Sequence, residues 1–125
     1  MIGMDNRTPK ENLLIEGLYD WVYASWVYGI TSLTEVTMPD ERRALSLRLI
    51  SELLTEGLMV PGDIDDGEHR PWLCSTAEAI ERIRHEWLTE WPAADPDLGA
   101  IVWLANTEKG DEIARAVLAR ESEEM

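Results

Sequence analysis

Apolar residues recur every three to four positions over residues 39–55, a spacing that predicts an amphipathic helix. Its apolar stripe consists of Ala44, Leu45, Leu47, Leu49, Ile50, Leu53 and Leu54. Gly57 follows where a helix end favours a left-handed residue. Residues 58–60 are an apolar run too short for a helix, and the proline–glycine pair at 61–62 predicts its end. We therefore expect a helix, capped by Asp40, that leads into a short strand and organises the rest of the chain.

Other segments of the chain carry helix and strand signals. Thr8 and Glu11 have the spacing of a capping box, and Ser75 and Glu78 repeat it. The predicted elements are a first helix over residues 9–29, a short strand or helix within 29–38, a polar loop at 62–71, a helix at 76–91, a strand at 100–105, and a last helix from 107 followed by a frayed acidic tail at 121–125.

The first predicted helix is apolar around more of its circumference than one core contact requires. Either it lies at the centre of the fold, or part of it faces a partner. A second apolar stripe on this helix contains Tyr19, Tyr23 and Trp26. Aromatic side chains are enriched where proteins bind one another, so these three are candidate contact residues. The alternative is that they pack beneath the last helix.

The length of 125 residues predicts a single domain, residues 1–125, with short flexible termini. No run approaches the roughly 18 apolar residues that a membrane-spanning helix needs, and the first residues lack an apolar signal region. We therefore expect a cytoplasmic protein with no membrane partner. Cys74 is the only cysteine, which excludes an intramolecular disulfide.

Charge narrows the classes of partner. The chain has 25 acidic and 11 basic residues, a net charge of −14. Proteins that bind nucleic acids usually present a basic face, because contacts with phosphates supply much of their affinity. An acidic chain repels phosphates at long range and attracts a basic protein surface. The alternative is that the acidity only keeps a small protein soluble.

Four carboxylates cluster in the predicted polar loop. They are Asp63, Asp65, Asp66 and Glu68. A calcium loop needs oxygen ligands at its first, third and fifth positions and a glutamate at its twelfth. Counted from Asp63, the fifth position is Gly67 and the twelfth is Cys74, so we expect no metal and no other cofactor. The carboxylates form either a solvated turn or a contact patch for a basic protein.

Catalytic signatures are weak. His69 and His85 are the only histidines, and a nucleophilic site would need Cys74 or a serine beside one of them. The chain has no glycine-rich phosphate loop and no H-E-x-x-H motif. We expect a protein that is not an enzyme.

Two segments and the order of elements resemble a winged-helix domain. Residues 50–60 (ISELLTEGLMV) resemble the end of its third helix and the first strand of its wing. Residues 101–118 (IVWLANTEKGDEIARAVL) resemble the return strand and the passage L-T-x-x-G-x-x-x-A, with Asn106 inserted before the threonine. The resemblance covers most of residues 13–118. It implies a mostly helical α+β fold, with a winged-helix-like core, a small two- or three-stranded antiparallel sheet and an extra helix, residues 76–91, inserted in the wing.

The same resemblance implies an alternative function. In winged-helix regulators the third helix presents basic and polar side chains to the DNA major groove. Arg42, Arg43 and Arg48 are the basic residues of the corresponding helix here. The alternative is therefore a DNA-binding transcription regulator, although the carboxylates in the wing have the wrong sign for phosphate.

The acidic, tryptophan-rich composition is similar to that of immunity proteins from bacterial contact-dependent and polymorphic toxin systems. Those proteins bind and block toxin domains, many of which are basic nucleases. The similarity implies a binding module, a monomer or homodimer, whose partner is a basic toxin domain or nuclease. The predicted partner-binding residues are Asp63, Asp65, Asp66, Glu68, Tyr19, Tyr23 and Trp26.

Overall fold

The computed structural model of the protein describes residues 7–91 and 93–124. These residues form a mostly helical α+β fold, as predicted, with five α-helices and a four-stranded antiparallel sheet. The helices are α1 (Pro9–Tyr19), α2 (Ala24–Ile30), α3 (Pro39–Thr55), α4 (Thr76–His85) and α5 (Glu108–Glu124). The strands are β1 (Val22–Tyr23), β2 (Met59–Asp65), β3 (Glu68–Pro71) and β4 (Trp103–Asn106). Thr31–Leu33 form a 3₁₀ turn and Glu86–Glu90 a π-helical turn.

The expected single helix over residues 9–29 is wrong. Its capping box is present, but α1 ends at Tyr19, and β1 separates it from α2. Asp20 has an extended backbone (φ −158°, ψ 170°), and its Oδ1 accepts a hydrogen bond of 2.8 Å from the Trp21 backbone N–H. Aspartate side chains compete in this way with helical hydrogen bonds. Val22 and Tyr23 then pair with β4 as a strand instead of continuing the helix.

Helix α3 and its connection to β2 follow the pattern of the sequence. Gly57 has φ +73°, and its N–H donates to Leu54 O while the Leu58 N–H donates to Leu53 O. These two bonds form a Schellman motif, the predicted glycine-dependent helix end. The start differs, because the helix begins at Pro39 and Asp40 lies inside its first turn rather than capping it.

The strands lie in the order β1-β4-β2-β3, and all neighbours are antiparallel. The sheet has more than the two or three strands expected, since the sequence predicts a helix over β1 and a loop over β3. Strand β2 also continues through Pro61 and Gly62, where the sequence predicts its end. It does so because it has partners on both sides: Pro61 lies opposite Leu104, and Gly62 lies opposite Trp103 and Pro71.

One face of the sheet packs on the core beneath α1 and α3. Along the strands, the buried Met59 and Leu104 alternate with the half-buried Val60 and Trp103, so the second face remains partly exposed. The largest fully buried side chains are Trp87, Leu13, Leu14, Ile50, Leu53, Met59, Ile83 and Leu104. Trp87 donates its indole N–H to Ala94 O at 2.7 Å, which ties the connector before β4 to the core.

The two ends of the described chain meet. The Arg7 guanidinium donates to both carboxylate oxygens of Glu121, at 2.6 and 2.7 Å, and joins the start of α1 to the end of α5. Helix α5 reaches Glu124, so the acidic tail predicted to fray is helical to that residue. The expected flexible start, residues 1–6, and residue 125 lie outside the described residues.

Candidate functional site

The predicted polar loop is a β-hairpin rather than an irregular loop. Asp66 and Gly67 connect β2 to β3, with φ angles of +53° and +75°. Positive φ at both central residues is the requirement of a type I′ turn, whose twist suits a two-residue hairpin. The register places Asp63 opposite Arg70 and Asp65 opposite Glu68. Pairing with β3 thus gives the carboxylates fixed positions that a loop would not.

All four hairpin carboxylates are exposed. Asp63, Asp65, Glu68 and Arg70 occupy one face of the hairpin, because side chains alternate along each strand. Asp65 and Glu68 have the same charge and lie directly opposite one another, an arrangement that is unfavourable without a cation. Arg70 contacts Glu68 at 3.3 Å, but both side chains are more than half exposed. The face therefore keeps a net negative charge.

The opposite face of the hairpin connects it to the rest of the sheet. The His69 ring lies across Gly62, and its Nε2–H donates to the Trp103 carbonyl oxygen in β4 at 2.9 Å. The same ring is 6.4 Å from the Trp21 ring. The sequence suggested His69 only as a weak catalytic candidate. In the fold it links its own strand, β3, to β2 and β4.

An aromatic cluster lies next to this histidine. Tyr23 packs edge-on against Trp103, with ring centroids 5.3 Å apart, and against Trp26 at 6.4 Å. Edge-to-face packing at these distances is favourable for aromatic pairs. We call Tyr23, Trp26 and Trp103 the aromatic cluster. Trp103 was not among the predicted contact residues, because its run of apolar neighbours predicts only a strand.

The predicted stripe of Tyr19, Tyr23 and Trp26 on one helix is wrong, since the three residues lie on α1, β1 and α2. Tyr23 and Trp26 still meet. Tyr19 is 76% exposed and lines a pocket together with Trp21. The tertiary fold thus brings two of the three aromatic candidates together.

The three arginines of α3 have different surroundings. Arg42 donates to Thr31 Oγ1 at 2.8 Å and to Tyr28 O at 3.0 Å, and its guanidinium lies over the Tyr28 ring. Arg43 is mostly buried and contacts Asp40 at 3.2 Å. Arg48 is 71% exposed. Two of the three therefore serve internal contacts of the fold.

The acidic side chains whose pKa is lowered lie outside the hairpin. The Ser75 backbone N–H holds the pKa of Glu78 below its usual range, and the Arg7 guanidinium does the same for the pKa of Glu121. These are a helix cap and an ion pair, both structural. Within the described residues, no group of three or more histidine, cysteine or acidic side chains is arranged to hold a metal ion. Cys74 is exposed.

Comparison of the chain with protein-family models, curated proteins and solved structures finds no match. None of the helices in residues 7–91 and 93–124 has the length and apolar character to cross a membrane.

Proposed function

We propose that this protein is a non-enzymatic acidic binding module, an immunity protein or inhibitor that neutralises a basic toxin domain or nuclease in the cytoplasm, acting as a monomer or homodimer. The observation that carries the proposal is the β2–β3 hairpin. It presents Asp63, Asp65, Asp66 and Glu68 to solvent, with Arg70 as the only lysine or arginine in the two strands. This local excess of negative charge has the same sign as the whole chain.

The hairpin and the aromatic cluster have complementary roles in the proposed mechanism. Exposed carboxylates accelerate the encounter with a basic surface and align it, and they act over about 10 Å at 0.1 M salt. Such contacts add little affinity once they are hydrated. Tyr23, Trp26 and Trp103 supply apolar area that a partner can desolvate. His69 holds the hairpin against Trp103. Because these rings lie on the face opposite Asp63, Asp65 and Glu68, one partner reaches both by wrapping around the β3 edge of the sheet.

We propose in addition that the core follows the winged-helix plan. Three helices precede β2, and β4 pairs with both β1 and β2. Strand β3 and α4 lie between β2 and β4 in the chain, where the wing of that plan would be. The function does not follow from this plan, because the helix that would read DNA carries Arg42 and Arg43 in internal contacts.

The test is capture of a partner from a lysate of the source organism at low salt, followed by measurement of inhibition. We expect release at high salt, identification of a basic toxin domain or nuclease, and stoichiometric loss of its activity on adding this protein. The association rate should fall at least about tenfold between about 20 and 300 mM NaCl.

Two variants with the same change in charge separate the hairpin from general acidity. The hairpin variant replaces Asp63, Asp65 and Asp66 with Asn and Glu68 with Gln. The control variant replaces the exposed Glu81, Glu90, Glu112 and Glu123 with Gln. The hairpin variant should lose most of the association rate, whereas the control should lose much less. Equal losses would reject the hairpin as the contact. Recovery of DNA that is lost on Arg48→Glu would favour the regulator instead.

A further inference from the structure

A pocket of about 420 Å³ lies where the end of α1 meets β4 and the start of α5. The residues that line it include two acidic residues, Asp20 and Asp111, and two aromatic residues, Tyr19 and Trp21. None of the described residues that line it is basic. Its two acidic residues are about 90 residues apart in the chain, so no local sequence pattern predicts the pocket.

Internal hydrogen bonds orient both carboxylates. Oδ1 of Asp20 accepts from the Trp21 backbone N–H at 2.8 Å, and Oδ1 of Asp111 accepts from Asn106 Nδ2 at 3.0 Å. A carboxylate accepts on both oxygens, so each retains capacity for an incoming donor. Asn106 also lines the pocket, and its own Oδ1 is buried without a hydrogen-bond partner. The polar wall is thus ordered before any ligand arrives.

The charge and the rings together select the class of ligand. Two carboxylates repel an anion, and an apolar ligand would take them out of water without a partner. A cation gains from both carboxylates, and the aromatic residues Tyr19 and Trp21 beside them add a cation–π attraction. Planar guanidinium offers several donors in a fixed fork and stacks on aromatic rings, whereas an ammonium ion is compact and more strongly hydrated.

We propose that this pocket receives an arginine side chain of the protein partner. The source of the arginine rests on the proposed function, but the pocket is distinct from the hairpin carboxylates. Trp21 belongs to both regions, because the residue lines the pocket and its ring lies 6.4 Å from the ring of His69 in the hairpin. A basic partner seated on the hairpin and aromatic cluster can therefore place one arginine here.

The test uses the intact protein and Nα-acetyl-arginine amide as the probe. Two-dimensional NMR would follow the Trp21 indole and the Asn106 side-chain amide during the titration. A ligand of this size should bind with a Kd on the order of 1 mM. The citrulline analogue, which has the same shape and no charge, should bind at least about tenfold more weakly.

Asparagine variants identify the pocket as the binding site. Asp20→Asn and Asp111→Asn each keep an Oδ1 for the internal hydrogen bond and should weaken binding about tenfold. Asp97→Asn, at an exposed position in the connector before β4, should leave it unchanged. A urea unfolding curve for each variant checks that the fold is intact.

Several outcomes would overturn the inference. Equal binding of the citrulline analogue would show that the pocket does not recognise charge. A third probe, Nα-acetyl-lysine amide, should bind more weakly than the arginine probe, and equal binding would remove the preference for guanidinium. Equal weakening by Asp20→Asn and Asp97→Asn would place the probe elsewhere. The two proposals fail separately: the pocket is tested by the probe alone, and the inhibitor function by partner capture with the hairpin variants.

Discussion

Gly62 decides how the hairpin attaches to the sheet. A Cβ atom at this position would lie 2.4 Å from the Arg70 carbonyl oxygen and 2.6 Å from Cε1 of His69. The first of these is backbone and cannot rotate away. Only glycine therefore lets the His69 ring cross β2 and reach the Trp103 carbonyl oxygen.

Gly62→Ala should destabilise the protein by about 1–3 kcal/mol, the usual cost of overpacking a close contact. It should also release the His69 ring from Trp103. Urea unfolding measures the first effect, and the chemical shifts of the His69 ring measure the second.

Gly29→Ala is the matched control at this scale. Gly29 lies in α2, and apart from its chain neighbours and the backbone of its own helix no described atom lies within 4 Å of the Cβ that alanine would add. The free energy of unfolding of Gly29→Ala should be unchanged or up to about 1 kcal/mol greater, because alanine favours the helical conformation more than glycine does. A loss in Gly29→Ala as large as in Gly62→Ala would mean that close contact is not what makes Gly62 necessary.

At the scale of elements, the Arg7–Glu121 pair fastens α1 to α5. Both side chains are less than one-fifth exposed. The hydrogen bond from Arg7 lowers the pKa of Glu121 below its unfolded value. A lowered carboxyl pKa stabilises the fold above the unfolded pKa, and this stability is lost as pH falls through the folded pKa.

Arg7→Gln should therefore reduce the thermal midpoint at neutral pH and reduce its fall between pH 7 and pH 3. The physical reason is that Glu121 then loses the partner that favours its charged form. Thermal unfolding across this pH range, for the variant and the parent protein, measures both changes.

Glu123→Gln serves as the control for that prediction, since Glu123 is an exposed carboxylate in the same helix. Its curve of midpoint against pH should lie close to that of the parent. If the thermal midpoint of Arg7→Gln falls as steeply between pH 7 and pH 3 as that of the parent protein, the Arg7–Glu121 ion pair is not the source of the acid dependence.

At the scale of the whole molecule, a net charge of −14 implies self-repulsion at neutral pH. Ion pairs that oppose it, such as Arg48 with Glu52 and Arg70 with Glu68, lie at the surface and are individually weak. Screening should remove more repulsion than attraction.

Raising NaCl from about 20 to 300 mM at pH 7 should therefore raise the thermal midpoint, by a few degrees. The variant that replaces Glu81, Glu90, Glu112 and Glu123 with Gln should have a higher thermal midpoint at low salt than the parent protein. Its midpoint should rise less when salt is added. A midpoint that falls with salt in the parent protein would show that surface ion pairs outweigh the net repulsion.

Local signals in the sequence determined where several helices of this protein begin and end. Thr8 with Glu11 and Ser75 with Glu78 form their capping boxes, and Gly57 ends α3, because each of these interactions joins residues within one or two helical turns. The order of these elements, through its resemblance to a winged-helix domain, predicted the mostly helical α+β class of fold. The exposure of the hairpin carboxylates followed from their charge.

Tertiary pairing decided which segments became strands, how far they extend and which distant residues meet. β1 is a strand because β4 lies beside it, although its own residues continue a helical pattern. The Asp66-Gly67 pair is a hairpin signal in the sequence, yet its strands needed β4 to extend through Pro61. The pocket and the aromatic cluster join residues far apart in the chain. Composition determined the sign of the net charge. Only packing between distant segments determined where the carboxylates, the aromatic cluster and the pocket lie, because contacts between such segments exist only once the chain has folded.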